Sequence, residues 1–155
     1  FERIAYGVRC MVVGLIRLYQ ATGETKYATM AGLAASWFTG DNEADEPMYD
    51  SATGRGFDGL DDGSVINRNS GAESTIEALY SILEVRHCRA ANRWLGARRL
   101  EALRSEVDGV EYYYRVFEVE GPEGRRSAAV AMDLTRERLN VLEGEALDAF
   151  LRSSG

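Results

Sequence analysis

Histidine and lysine are almost absent from this chain: among 155 residues there is one of each, His87 and Lys26. A lone histidine excludes a multi-histidine metal centre, and Cys88 beside it adds no spaced ligand set. Neighbours on a helix point apart, so His87 and Cys88 do not form a nucleophile–base pair. The run Asp58-Gly-Leu-Asp-Asp-Gly departs from the calcium-loop pattern, because Leu60 holds its third position. No metal and no cofactor are expected. Cysteine is also scarce. Cys10 and Cys88 both sit in helical apolar patterns and read as small buried thiols, which fits a reducing, cytoplasmic compartment rather than a disulfide framework.

Long apolar runs are missing too. The longest candidate, Cys10 to Ile16, is flanked by Arg9 and Arg17 and is too short to span a bilayer, so no membrane partner is expected. No secretory leader is visible. Positive charge is outnumbered: 18 Lys and Arg stand against 25 Asp and Glu, a net −7 that repels phosphate backbones and argues against nucleic acid. What remains is 45% apolar and 28% charged, a globular composition. A chain of this length buries roughly two-thirds of its unfolded surface and makes its own core.

Two helices open the chain. Ile4, Val8, Met11, Val12, Leu15, Leu18 and Tyr19 recur at helical spacing over Ile4–Ala21, and Val13 and Ile16 fill much of the opposite face. Such a helix is expected to be buried on two sides. Gly23 reads as its C-cap. A second helix follows over Glu24–Phe38, with Ala28, Gly32 and Ala35 allowing a neighbour to approach closely, so the pair reads as an αα-hairpin. The long Gly/Asp/Asn-rich loop Thr39–Asn69 carries Met48, Tyr49, Phe57, Leu60, Val65 and Ile66, and is expected to pack. Ser70 and Glu73 form a capping-box pattern for a third helix, whose expected apolar face is Ile76, Leu79, Tyr80 and Leu83. A fourth, arginine-rich helix is expected over Ala90–Arg104. After Asp108-Gly109 the period turns to β: strands over Val110–Glu120, Arg126–Leu134 and Leu139–Leu142, then a short helix over Glu145–Leu151.

Three strings in the loop and the third helix go together: PMYD at Pro47–Asp50, TGRGFDG at Thr53–Gly59 and NRNSGAEST at Asn67–Thr75. In that order they resemble the C-terminal part of bacterial six-hairpin glycosidase superfamily proteins, some of which occur beside or fused to glycosyltransferases. The close match runs from about Trp37 to Leu83. The resemblance implies a mainly α fold: αα-hairpins from part of an (α/α)6 toroid over residues 1–107, followed by a small antiparallel β segment over 108–155. A complete toroid has twelve helices and this chain offers about four. Together with the opening on Phe1, this leads to the expectation of an excised piece whose ring is completed by the remainder of a parent protein or by a homo-oligomer.

The resemblance also implies a carbohydrate partner. Acidic residues crowd the loop at Asp41, Glu43, Asp45, Glu46, Asp50, Asp58, Asp61 and Asp62. Glycoside hydrolysis uses two carboxyl groups, and Asp50, Asp58 and Glu73 are the candidate catalytic residues. Tyr49 and Phe57 can stack on sugar rings, and Asn67, Arg68 and Asn69 can hydrogen-bond their hydroxyls. A structural role stands beside each. Asp50 and Asp58 can organise turns, Glu73 can cap its helix at the positive end of the dipole, and Tyr49, Phe57 and the three polar residues can anchor the loop. The expected function is that of a glycoside hydrolase-like protein acting on or binding a glycan, the fragment alone being inactive. The alternative is a non-catalytic helical module that supports a glycosyltransferase or another partner subunit.

Overall fold

A computed structural model describes residues 3–61, 64–122 and 124–154. Asp62, counted above among the loop carboxylates, lies outside the described residues. The fold is mixed α/β, with 43% helix and 32% strand, and this strand content overturns the expectation of a mainly α chain. The chain divides into two compact units, with the boundary in sequence between Ala97 and Arg98.

The first unit is built on helices. A two-residue strand, β1 (Arg3–Ile4), leads into α1 (Ala5–Thr22), followed by α2 (Thr25–Ala35) and a 3-10 turn over Ser36–Thr39. Gly23 ends α1 with a left-handed φ of 72°, and its N–H donates to the Tyr19 carbonyl at 2.8 Å, the C-cap read from the sequence. Ala5, Val8, Val12 and Ile16 form the buried stripe of α1. Met11 and Leu18, expected inside, are half exposed. Ser36 ties the end of α2 to the chain near Trp94. Its Oγ lies 2.9 Å from both the Gly32 and Trp94 carbonyls and accepts the Gly96 N–H at 3.0 Å.

The following loop is ordered by its own hydrogen bonds. It holds four short strands: β2 (Tyr49–Asp50), β3 (Arg55–Gly56), β4 (Gly59–Leu60) and β5 (Ile66–Asn67). β2 pairs with β3, while β4 lies between β1 and β5, all antiparallel. Met48 and Leu60 are buried in the core, as their apolar character predicted.

The third helix, α3 (Ala72–His87), forms where it was expected but turns the other way. Its buried residues are Ser74, Glu77, Ala78, Ser81, Ile82 and Val85. Ile76, Tyr80 and Leu83 face solvent. The inside admits Glu77 because Arg9 of α1 ion-pairs with it, and small Ala78 and Ser81 let neighbours close in. The capping box is not made: Gly71 is the N-cap, without a side-chain cap bond. A four-residue helix, α4 (Arg89–Asn92), completes the unit.

The second unit is a four-stranded antiparallel meander, β6 (Arg98–Val107), β7 (Val110–Gly121), β8 (Gly124–Asp133) and β9 (Arg138–Glu143), with α5 (Gly144–Ser154) on one face. Most of the expected helix over Ala90–Arg104 is therefore absent. Arg98–Arg104 belongs to β6, which pairs with β7 from Arg98↔Glu118 to Val107↔Val110. Asp108 and Gly109, both at positive φ, are the two-residue turn between these strands, the geometry that matches right-handed strand twist. Phe150 of α5 packs edge-on against Tyr112 and Tyr114 at 5.2 and 5.0 Å, and Leu147 is buried beside the sheet.

Buried Asp133 shapes the β8–β9 turn. Its Oδ1 accepts the N–H groups of Thr135 and Arg136, each at 2.9 Å, and its Oδ2 pairs with the Arg136 guanidinium at 3.0 Å. The Arg136 backbone bond and then its side chain hold the Asp133 carboxyl below its ordinary value, against the opposing pull of burial. A depressed folded pKa means that the stabilisation is present above the unfolded value of about 3.9 and lost as pH falls through the folded one. Measured against the intrinsic exchange rate at each pH, protection of the Thr135 and Arg136 amides should therefore fall on acidification below pH about 4. Asp133→Asn should abolish that pH dependence. Protection factors at these two amides that do not change with pH in the wild-type chain would refute the assignment.

Candidate functional site

A cleft of about 420 Å³ opens in the first unit, where the start of α1, the loop and the start of α3 converge. Ile4, Ala5 and Tyr6 form one wall, Asp58 and Asn67 come from the loop, and Gly71, Glu73 and Ser74 come from the α3 N-terminus. No basic side chain is among these residues.

Two glycines of the TGRGFDG string bring these walls together. A Cβ on Gly59 would lie 2.5 Å from the Arg3 carbonyl oxygen, and one on Gly56 would lie 2.5 Å from that of Ser74. Only glycine lets the loop backbone press this closely on the chain before α1 and on α3. The loop is then secured by backbone bonds. The Ala5 N–H donates to the Asp58 carbonyl at 2.9 Å, and the Asp58 N–H donates to the Asn69 carbonyl at 3.0 Å.

The structure brings together three of the sequence candidates, Asp58, Asn67 and Glu73. Ser74 Oγ donates to Asp58 Oδ1, orienting that carboxylate. Asn67 Oδ1 accepts the Asn69 N–H at 3.1 Å. Glu73 is exposed, and its side chain makes no hydrogen bond or ion pair among the described residues.

The other candidates stand elsewhere. Asp50 closes a turn: Oδ1 accepts the Ala52 N–H at 2.9 Å, and Oδ2 accepts the Thr53 hydroxyl at 2.6 Å. The Thr53 hydroxyl, then the Ala52 N–H, hold its pKa below the ordinary value. Tyr49 and Phe57 are half-buried against the core cluster. The Arg68 guanidinium lies over the Phe57 ring at 5.2 Å and donates to Glu46 at 2.7 Å. Asn69 is exposed and contributes its carbonyl to the loop ladder.

Tyr6 and Ser74 are the site residues that sequence reasoning missed. Ser74 sits inside the quoted NRNSGAEST string, so a signal was present. Tyr6 lies 52 positions before Asp58 (58 − 6), and nothing local marks it. Its hydroxyl is held above the ordinary tyrosine value, first by a side-chain hydrogen bond with Cys10 and against the nearby Arg9 charge.

No protein-family model matches the chain, and no curated protein matches it. With the mixed α/β architecture and its three antiparallel sheets, this overturns the resemblance to the six-hairpin toroid, of which the fold shows no sign. The quoted strings instead account for local packing: two glycines at close approaches, an aspartate in a turn and a serine on Asp58. Among the described residues, no group of three or more His, Cys, Asp or Glu is placed to hold a metal ion, and no helix is long and apolar enough to cross a membrane.

Proposed function

We propose that the cleft binds a carbohydrate. The observation that carries this reading is the side-chain set on its walls: two carboxylates, Asp58 and Glu73, the Asn67 amide and the half-exposed Tyr6 ring. Carboxylates and amides accept and donate to sugar hydroxyls, and an aromatic ring covers the apolar face of a pyranose. Hydrolysis is a second reading, favoured by the presence of two carboxylates in one cleft, since glycosidases work with such a pair.

The test is calorimetric titration with a panel of neutral mono- and oligosaccharides, together with an assay for released reducing ends. Binding should weaken about tenfold, the equivalent of one lost hydrogen bond, in Asn67→Ala and in Glu73→Gln. Asp50→Asn, which alters only the turn, should bind as the parent chain does. If no sugar in the panel binds, the reading fails. Reducing-end release that disappears in both Asp58→Asn and Glu73→Gln would establish the hydrolytic reading over simple binding.

A further inference from the structure

α1 presents to solvent a side that helices normally keep inside. Gly7, Cys10, Met11, Gly14 and Leu18 recur there at spacings of three and four, and each is exposed. α3 presents a second apolar row, in which Ile76 is 60% exposed, Tyr80 40% and Leu83 48%. The two helices pack against one another, and Arg9 bridges their outer sides. Its guanidinium lies 5.5 Å from the Tyr6 ring centroid and 6.0 Å from that of Tyr80 while it ion-pairs with Glu77. Further along, Arg17 approaches Glu84 at 3.5 Å. The charges between the rows are thus paired within the chain, although the chain as a whole carries −7.

We propose that this face is the interface of a homodimer, with α1 of each copy packed antiparallel on α1 of the other. Area is the first argument. Met11, Leu18, Ile76, Tyr80 and Leu83 are each about half exposed. At about 100 Å² apiece they leave on the order of 500 Å² uncovered, more than half of the roughly 800 Å² per partner of a standard interface. Self-complementarity is the second, and it selects a second copy. A two-fold axis presents the same patch to itself. Along α1 the exposed residues Gly7, Cys10, Met11 and Gly14 are spaced three, one and three apart, a pattern that is the same from both ends. An antiparallel copy in that register sets Gly7 against the second Gly14 and Cys10 against the second Met11, with the two-fold axis between Cys10 and Met11. Nothing lies within 4 Å of a Cβ built on Gly7 or Gly14, so a facing helix can approach the backbone there. Charge is the third: paired arginines and glutamates offer no repulsion to an identical face.

Sedimentation equilibrium on the full chain tests this. A dimer that dissociates on dilution through the micromolar range is the expected result. Met11→Glu and Leu18→Glu, both at exposed positions, should weaken it about a hundredfold by placing unpaired charges in the interface, with helix content unchanged by circular dichroism. In a Cys88→Ser background a short bis-maleimide should link the Cys10 thiols of two copies, and should fail to do so in Met11→Glu. A monomer at every concentration overturns the proposal. So does a dimer that survives both glutamate substitutions and resists cross-linking through Cys10.

Discussion

Gly32→Ala should destabilise the first unit by about 3 kcal/mol, at the upper end of what overpacking a well-filled core costs. Propensity alone says the opposite, since alanine in a helix interior outranks glycine by roughly 0.5–1 kcal/mol. Packing reverses the sign. A Cβ at this position in α2 would lie 2.2 Å from the Ala91 carbonyl oxygen and 2.7 Å from the Trp94 Cβ. Neither obstacle can step aside: the first is backbone, and Trp94 is fully buried, with its carbonyl beside Ser36 Oγ at 2.9 Å. Trp37 and Trp94 both belong to the first unit, so urea unfolding followed by tryptophan fluorescence reports on it directly. A variant as stable as the parent, or more so, would show that α2 and α4 are not in this contact.

Asn42→Ala should have the next largest effect, a loss of about 2 kcal/mol with loosening of the segment between the 3-10 turn and Met48. Asn42 is fully buried, and three backbone groups depend on it. Its Nδ2 donates to the Trp37 carbonyl at 2.8 Å and to the Glu46 carbonyl at 2.7 Å, and its Oδ1 accepts the Ala44 N–H at 3.0 Å. Alanine supplies none of these bonds, leaving the Trp37 carbonyl with only the Gly40 N–H at 3.4 Å. Asn42→Asp should fail nearly as badly, because a carboxylate cannot donate to the two carbonyls. The readout is the rate of limited proteolysis across residues 38–48, compared at equal fractions folded. Parent-like rates in both variants would remove Asn42 from its organising role.

Resemblance between strings of residues misled most about the fold. PMYD, TGRGFDG and NRNSGAEST answer to local demands that recur in unrelated chains: a turn closed by Asp50, a glycine pressed against Ser74, and a helix start whose serine holds Asp58. The arginine-rich stretch misled in a second way. Arg, Leu, Glu and Ala are helix formers, so residues 98–107 look helical taken alone. Their partner strand, with Tyr112, Tyr113 and Tyr114, outweighs that preference through cross-strand pairing. Asp108-Gly109 was legible as a hairpin turn, had the residues before it been read as a strand.

By itself the sequence determined the local elements whose causes lie within a few residues. The 3.6-residue apolar period placed α1 and α2, Gly23 supplied the end of α1, and alternating β-formers placed β7 and β8. The loop carboxylates and Asn67 were likewise visible as chemistry without a location. Tertiary structure alone decided which face of a helix is inside. On α3 the most apolar row points outward, because Arg9 neutralises Glu77 and the small residues Ser74, Ala78 and Ser81 permit closer packing than Ile76, Tyr80 and Leu83 would. It also decided that Asp58 and Glu73 share a cleft with Tyr6, while Asp50 sits in a turn. Helical spacing records that a face is apolar. Whether that face meets the core, a second copy or solvent depends on contacts between residues far apart in the chain, and no local pattern encodes them.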